Sequence, residues 1–293
     1  MFTQARFFRF IYYLIVLAGL CLVYGFFIEP KTLAIRHVNI HSSHWEGPAL
    51  KIGLIADIHI GGQHVNVNRV AKIVTHMNAL SPDIVLLAGD YVNGHKPMGA
   101  HSDAFNASIQ SGLHNLGNLQ APLGVYAVLG NHDAWYAGTQ ITEALQRAGI
   151  KVLDNQQQNI TDKNTNLCLI GLADSNTGVR DTSVFKHCPI GQNMIVFMHS
   201  PDSFNLMRSD TVLALAGHTH GGQINIPILG RRVTSTKLGQ KYAYGKAVWQ
   251  GIPVFITAGI GTSILPARFR ARPEIVVITL SGPQPQALTA RPR

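Results

Sequence analysis

Five short polar fragments stand directly behind apolar runs in this chain. Asp57-Ile58-His59 follows KIGLIA (51–56), Gly89-Asp90 follows DIVLLA (83–88), and Gly130-Asn131-His132-Asp133 follows VYAVL (125–129). His199 follows MIVFM (194–198), and Gly217-His218-Thr219-His220-Gly221-Gly222 follows TVLALA (211–216). Carboxylate, imidazole and amide oxygen form a borderline-hard N/O ligand set, suited to Mn2+, Fe, Zn2+ or Co2+ rather than to a thiolate-seeking ion. Asp57 and His59 are two apart, as are His218 and His220, so on an extended segment each pair points to one side. The neighbouring glycines let the backbone come close to an ion. Any one fragment occurs by chance, and a lone His is more often a core or surface residue than a ligand. The ordered set, all polar and all behind apolar runs, leaves that reading little room.

The elements that hold these residues follow from the apolar runs themselves. Each is of buried-strand length, and in an open α/β sheet the carboxyl ends of strands share one edge, so five loops spread from Asp57 to Gly222 converge on one crevice. Val67, Val70, Ala71, Val74 and Met77 recur at helical spacing behind Asn66. Further helices are expected at 104–116 and 139–148, and further strands at 33–40, 167–170, 254–257 and 275–280. Strands alternate with helices early and predominate later, which predicts an α/β or mixed sheet sandwich in one domain.

Composition bounds the rest. The 293 residues, 46% apolar and 13% charged, can bury a sizeable core. Twenty-four Lys and Arg against 15 Asp and Glu give a formal +9, which fits nucleic acid, phosphorylated small molecules and lipid head groups alike. Three cysteines, Cys21, Cys168 and Cys188, are too few for a disulfide framework, and at most Cys168 and Cys188 pair. Residues 11–28 carry no charge, follow Arg6 and Arg9, and end without the small residues of a cleavage site. They predict an uncleaved transmembrane anchor over 1–30, a catalytic domain over 31–282 and a disordered tail over 283–293. Arg6 and Arg9 are nearly matched by Lys31 and Arg36 across the span, so the domain of this inner-membrane protein is only slightly favoured to face outward. Residues 231–293 hold ten Lys and Arg and one acid, Glu274. Of these, Arg268, Arg270 and Arg272 are candidate contacts to a diphosphate, or the outer ones to anionic lipid; an ordinary solvated face accounts for them equally well. Nucleic acid is disfavoured, because no aromatic-interleaved basic motif appears.

In their order, D-x-H, G-D, G-N-H-D, a lone His and G-H-T-H-G-G resemble the calcineurin-like metallophosphoesterase superfamily, over about residues 51–280. A finer resemblance is to its membrane-associated bacterial branch, the YkuE/YaeI-like phosphodiesterases. It rests on His199-Ser200-Pro201-Asp202, the Gly222-Gln223 step, and the run from Gly261-Thr262-Ser263 to Arg268 and Arg272-Pro273-Glu274. Some UDP-2,3-diacylglucosamine hydrolases look like this branch. The resemblance implies a four-layer αββα fold, a β-sandwich flanked by helices. It implies two divalent ions, Mn2+ favoured, with Asp57, His59 and His220 on the first, Asn131, His199 and His218 on the second, and Asp90 bridging. His132 would donate a proton to the leaving group or stabilise phosphoryl charge, with Asp133 holding its ring. Metal-activated hydroxide would then cleave a phosphodiester or pyrophosphate bond, in a lipid or envelope metabolite such as UDP-2,3-diacylglucosamine. The alternatives are a phosphomonoesterase or protein phosphatase, and a non-catalytic membrane-attached metal-binding module.

Overall fold

A computed structural model describes residues 4–162 and 165–283; the expected tail lies outside them except for Pro283. Two six-stranded sheets face each other. The first runs, edge to edge, β1 (Ala34–His41), β14 (Glu274–Ser281), β2 (Leu50–Ile55), β3 (Ile84–Ala88), β4 (Val125–Val128), β5 (Lys151–Val152). The second runs β12 (Gly245–Trp249), β13 (Ile252–Ile256), β9 (Leu213–Ala216), β8 (Asn193–Met198), β7 (Asn166–Leu172), β6 (Gln156–Thr161). β2 to β5 pair in parallel, and so do β7, β8, β9 and β13. Each sheet therefore sends several strand ends to one edge.

The central strands β2, β3, β8 and β9 are buried on both faces, which is why they read as nearly unbroken apolar runs. In β3, Ile84, Leu86 and Ala88 join the core between the sheets, opposite Leu169, Phe197 and Leu215, while Val85 and Leu87 face the helices. Those helices are α2 (Val67–Ala79), α3 (Asp103–Leu116) and α4 (Asn131–Arg147). Side-chain caps start two of them: Asn66 accepts from the Arg69 amide and Ser102 from that of Phe105. α4 begins eight residues before the expected 139, directly behind β4. Its backbone breaks at Ala137 (φ −175°, ψ 72°), so the periodic stretch read from the sequence is only its second piece. Over the outer face of the second sheet the covering layer is made of 3-10 turns, Thr182–His187 and Pro201–Leu206, with Phe185 and Phe204 buried beneath them. Cys168 of β7 and Cys188 are joined by a disulfide, their Cα atoms 5.9 Å apart.

Ahead of the sandwich stands α1 (Gln4–Val23), continued by a wider turn over Tyr24–Ile28 and a 3-10 turn over Glu29–Lys31. Its side chains are exposed, and it is long and apolar enough to cross a bilayer. Its base is pinned to the domain. The buried Glu29 carboxylate accepts from the amides of Arg270 (2.8 Å) and Ala271 (2.6 Å), and the Arg268 amide donates to Gly25 O (2.9 Å).

Candidate metal centre

Every fragment singled out in the sequence reaches the same end of the sandwich. Asp57 and His59 follow β2, Asp90 follows β3, Asn131 and His132 follow β4, His199 follows β8, and His218 and His220 follow β9. The ladder continues past the strands, with Asp57 N bonded to Gly89 O and His59 N to Asp90 O. Spacing by two was expected to act through an extended backbone. Instead Asp57, His59, Asp90, His218 and His220 all adopt left-handed φ, between 51° and 69°. Such residues cost about 1 kcal/mol or more each and cluster at functional sites. Glycine makes the close packing possible: a Cβ on Gly217 would lie 2.8 Å from Asp57 Oδ2, and one on Gly130 would overlap Asp90 Oδ1.

The side chains converge as two groups that share Asp90: Asp57, His59, Asp90 and His220, and Asp90, His199 and His218. His59 Nε2 lies 3.1 Å from His220 Nε2, and His199 Nε2 lies 3.0 Å from His218 Nδ1. Asp90 Oδ2 sits 3.2 Å from His199 Nε2 and 3.6 Å from His59 Nε2, while His220 Nε2 is 3.6 Å from Asp57 Oδ1. Facing nitrogens of this kind are what a shared cation draws together. His199 Nδ1 lies 2.8 Å from Ala88 O and donates there, which aims Nε2 at the centre. Burial disfavours charge on this ring, but Asp90 with its hydrogen bond raises the pKa to about 10, so Nε2 carries a proton that a bound cation would have to replace.

The protonation states fit the same use. Burial pushes His59 down to about 3 and His218 to about 4, and drives His220 well below its ordinary range, so these rings are neutral and able to bind an ion. Burial opposes charge on Asp90, but His199, with its hydrogen bond, and then His59 hold the carboxyl well below the usual range. Asn131 Oδ1 is buried without a hydrogen-bond partner. In a folded interior such an orphan needs an explanation, and a bond to a cation supplies one. The donor set therefore fits two divalent ions.

Two expectations need correction. Asp133 does not hold the His132 ring. Its carboxylate accepts four backbone N–H groups, from Asp90 and Tyr91 (both 2.8 Å), Gly130 (2.9 Å) and Val92 (3.1 Å), and so ties β3 to the start of α4. His132 Nδ1 is buried and unpartnered, while its Nε2 lies 3.3 Å from Ser263 Oγ and 4.0 Å from Asp90 Oδ2. Burial lowers the His132 pKa, against the pull of Asp90, so the ring is neutral at pH 7. Arg268 is no substrate contact either. It is fully buried, and its guanidinium donates to the carbonyls of Gly261, Ala258 and Ala271, which shapes the loop after β13. Arg270 and Arg272 are exposed beside the base of α1.

Three neighbours of His132 were not among the expected site residues, although Ser263 lies in the Gly261-Thr262-Ser263 run noted above. His95 packs edge-on at 4.4 Å between ring centroids, Trp135 lies at 5.0 Å and is half-exposed, and Ser263 offers its hydroxyl. Next to this group a cavity of about 370 Å3 opens, lined by His220 and Ser263 on one side and by Ile224, Ile226, Val233 and Leu265 on the other.

Two groups of candidate metal ligands sharing one aspartate, at the C-terminal edge of a two-sheet sandwich, fit the class of dinuclear metallohydrolases. Residues 50–222 match the calcineurin-like phosphoesterase family, and the chain belongs to that family. Over 91% of its length it is 28% identical to a putative metallophosphoesterase, F40B5.2, of Caenorhabditis elegans, of which it spans 56%. It is 28% identical to the metallophosphoesterase YkuE of Bacillus subtilis, covering 88% of this chain and 89% of that one. With the phosphodiesterase YaeI of Escherichia coli the identity is 30%, over 78% of this chain and 82% of that one. The chain is thus a metal-dependent phosphoesterase, and the family and the His/Asp cluster together point to a dinuclear divalent centre.

Proposed function

We propose that the chain is a membrane-anchored phosphodiesterase or pyrophosphatase whose substrate is an amphiphile drawn from the bilayer. The observation that carries this reading is the cavity of about 370 Å3 beside His220, because its wall is mostly hydrocarbon and its rim exposes Ile226, Val233 and Ile264. A soluble phosphomonoester has nothing to place there. A lipid phosphodiester or diphosphate sets its polar group against Asp90 and the histidines and leaves its chain in the cavity.

The ligand set is assigned residue by residue: Asp57, His59 and His220 to one ion, Asn131, His199 and His218 to the other, Asp90 to both. Bound there, divalent ions neutralise phosphoryl oxygens and acidify water. The chain's own residues orient the ester. His132, neutral at working pH, is a hydrogen-bond donor beside the leaving oxygen, and His95 and Trp135 support its ring. Mn2+ is the favoured ion on the family resemblance; the carboxylate and amide oxygens suit it, while the four imidazoles suit Zn2+ and Fe as well.

α1 anchors the domain, which faces the outer side of the cytoplasmic membrane. The Cys168–Cys188 disulfide supports that side, since such bonds persist in oxidising compartments. UDP-2,3-diacylglucosamine remains the specific candidate if the domain faces inward. The test is turnover of that lipid by detergent-solubilised, Mn2+-loaded protein, with bis-p-nitrophenyl phosphate and p-nitrophenyl phosphate as controls. Cleavage of the lipid at its pyrophosphate identifies the substrate and overturns the outward-facing side. Cleavage of the artificial diester alone leaves an outward-facing enzyme acting on another lipid. Preference for the monoester contradicts the proposal.

A further inference from the structure

A second cavity, of about 540 Å3, lies at the base of the anchor and shares no lining residue with the metal centre. Lys31 closes the 3-10 turn that follows α1, and Arg69, Lys72 and His76 reach the cavity from α2. Positions i, i+3 and i+7 share a helix face, so one side of α2 presents three cationic or protonatable groups to it. His64 completes the wall, and no carboxylate lines it.

Two of these side chains carry buried polar atoms with no partner. Arg69 Nη1 donates to His64 O at 2.8 Å, but Arg69 Nη2 bonds to nothing. His64 Nε2 is 2.9 Å from Pro266 O and donates to it; its Nδ1 is also unpartnered but is an acceptor in the neutral ring, so the unmet donor is that of Arg69 alone. A guanidinium nitrogen withdrawn from water without an acceptor is costly. An anion with several acceptor oxygens removes that cost, and phosphate suits a convergent Arg and Lys set. The depth of the cavity identifies the source. Lys31 sits immediately beyond the apolar span, where lipid phosphates lie, and juxtamembrane cations there favour anionic lipid. Leu33 and Ile73 add an apolar floor suited to the glyceryl part of such a lipid.

We propose that this cavity binds the phosphate of an anionic phospholipid head group, separately from the catalytic site. The lipid source rests on the membrane anchoring proposed above; the phosphate chemistry does not. The site also adjoins the catalytic wall, because the Pro266 carbonyl held by His64 belongs to the same loop as Ser263 and Leu265.

The test is native mass spectrometry of the full chain from nanodiscs of phosphatidylcholine containing one-fifth phosphatidylglycerol. We expect one phosphatidylglycerol retained per chain, at least about tenfold over phosphatidylcholine, and loss of that preference in Arg69→Gln. Because Arg69 is partly buried, Lys72→Gln with His76→Gln, at two exposed helix positions, is the companion variant and should weaken retention in the same direction. Metal content in each variant reports whether the fold persists. No preference in the wild-type chain, or a preference untouched by both variants, overturns the site. Displacement of the lipid by inorganic phosphate at equal concentration overturns the lipid as its source. Retention is read without turnover, so an inactive chain that keeps the lipid leaves this site standing, and an active chain that does not keep it refutes this site alone.

Discussion

Asp90 stands between two groups of ring nitrogens, and its carboxylate cannot be replaced by an amide without removing the negative charge that both ion sites share. Asp90→Asn should lower the metal content from two ions per chain to one or none and reduce kcat/KM by about 100-fold or more; metal analysis beside kinetics checks it. His132 touches no ion in the assignment. His132→Ala should keep both ions and lower kcat by about 100- to 10,000-fold with little change in KM. Two intact ions at full rate in Asp90→Asn would mean that the centre is misassigned. Asp154 gives a pH test at the same scale. Burial, with Asp174 adding, raises its pKa to about 6, although its carboxylate accepts the Leu129 amide. A carboxyl raised in the fold above its unfolded value of 3.8 contributes stability below that value and loses it as pH rises through about 6. Its side chain is only partly buried, so in EDTA at pH 7.5 Asp154→Asn should stabilise the chain by about 1–2 kcal/mol, with the difference vanishing below pH 4; thermal melts at both pH values decide it. The residues gathered at the candidate centre were legible as an ordered set, from their types and their shared place behind apolar runs, and not one by one. Their left-handed backbone, the true partners of Asp133 and the His95–Trp135 support were not, because these depend on packing between segments far apart in sequence.

At the level of elements, the loop after β13 has the most riding on one side chain. Arg268 holds the carbonyls of Ala258, Gly261 and Ala271, and burial brings its pKa down to about 10, which leaves it charged at neutral pH. Arg268→Met leaves those carbonyls unsatisfied and should cost about 3 kcal/mol or more, seen as a lower melting temperature together with weaker metal retention. A raised KM with unchanged melting would restore Arg268 as a substrate contact. The Cys168–Cys188 bond closes a separation of 20 residues, and removing it with Cys168→Ala and Cys188→Ala should cost about 3 kcal/mol. The parallel strands β2, β3, β4, β8 and β9 were readable because both of their faces are buried. The first piece of α4 was not, since Gly130-Asn131-His132-Asp133 has no helical periodicity and is held by the backbone bonds to Asp133. Nor does any pattern in the sequence announce the 3-10 turns over the second sheet, whose position depends on Phe185 and Phe204 finding its outer face.

For the whole molecule, the anchor and the catalytic edge are mechanically joined. Glu29 accepts from the amides of Arg270 and Ala271, and the same loop carries Ser263 to His132, so α1 and the candidate metal centre are linked through residues 263–271. The apolar span was plain in the sequence, whereas its fixed attachment appears only once Glu29 is seen buried in the domain. Metal-dependent catalysis is read most simply from hydrolysis of bis-p-nitrophenyl phosphate by the detergent-solubilised full chain, stripped with EDTA and titrated with Mn2+. A dinuclear centre gives no turnover without metal and a rate that saturates at two ions per chain. Turnover indifferent to EDTA, or none with both ions bound, would contradict it.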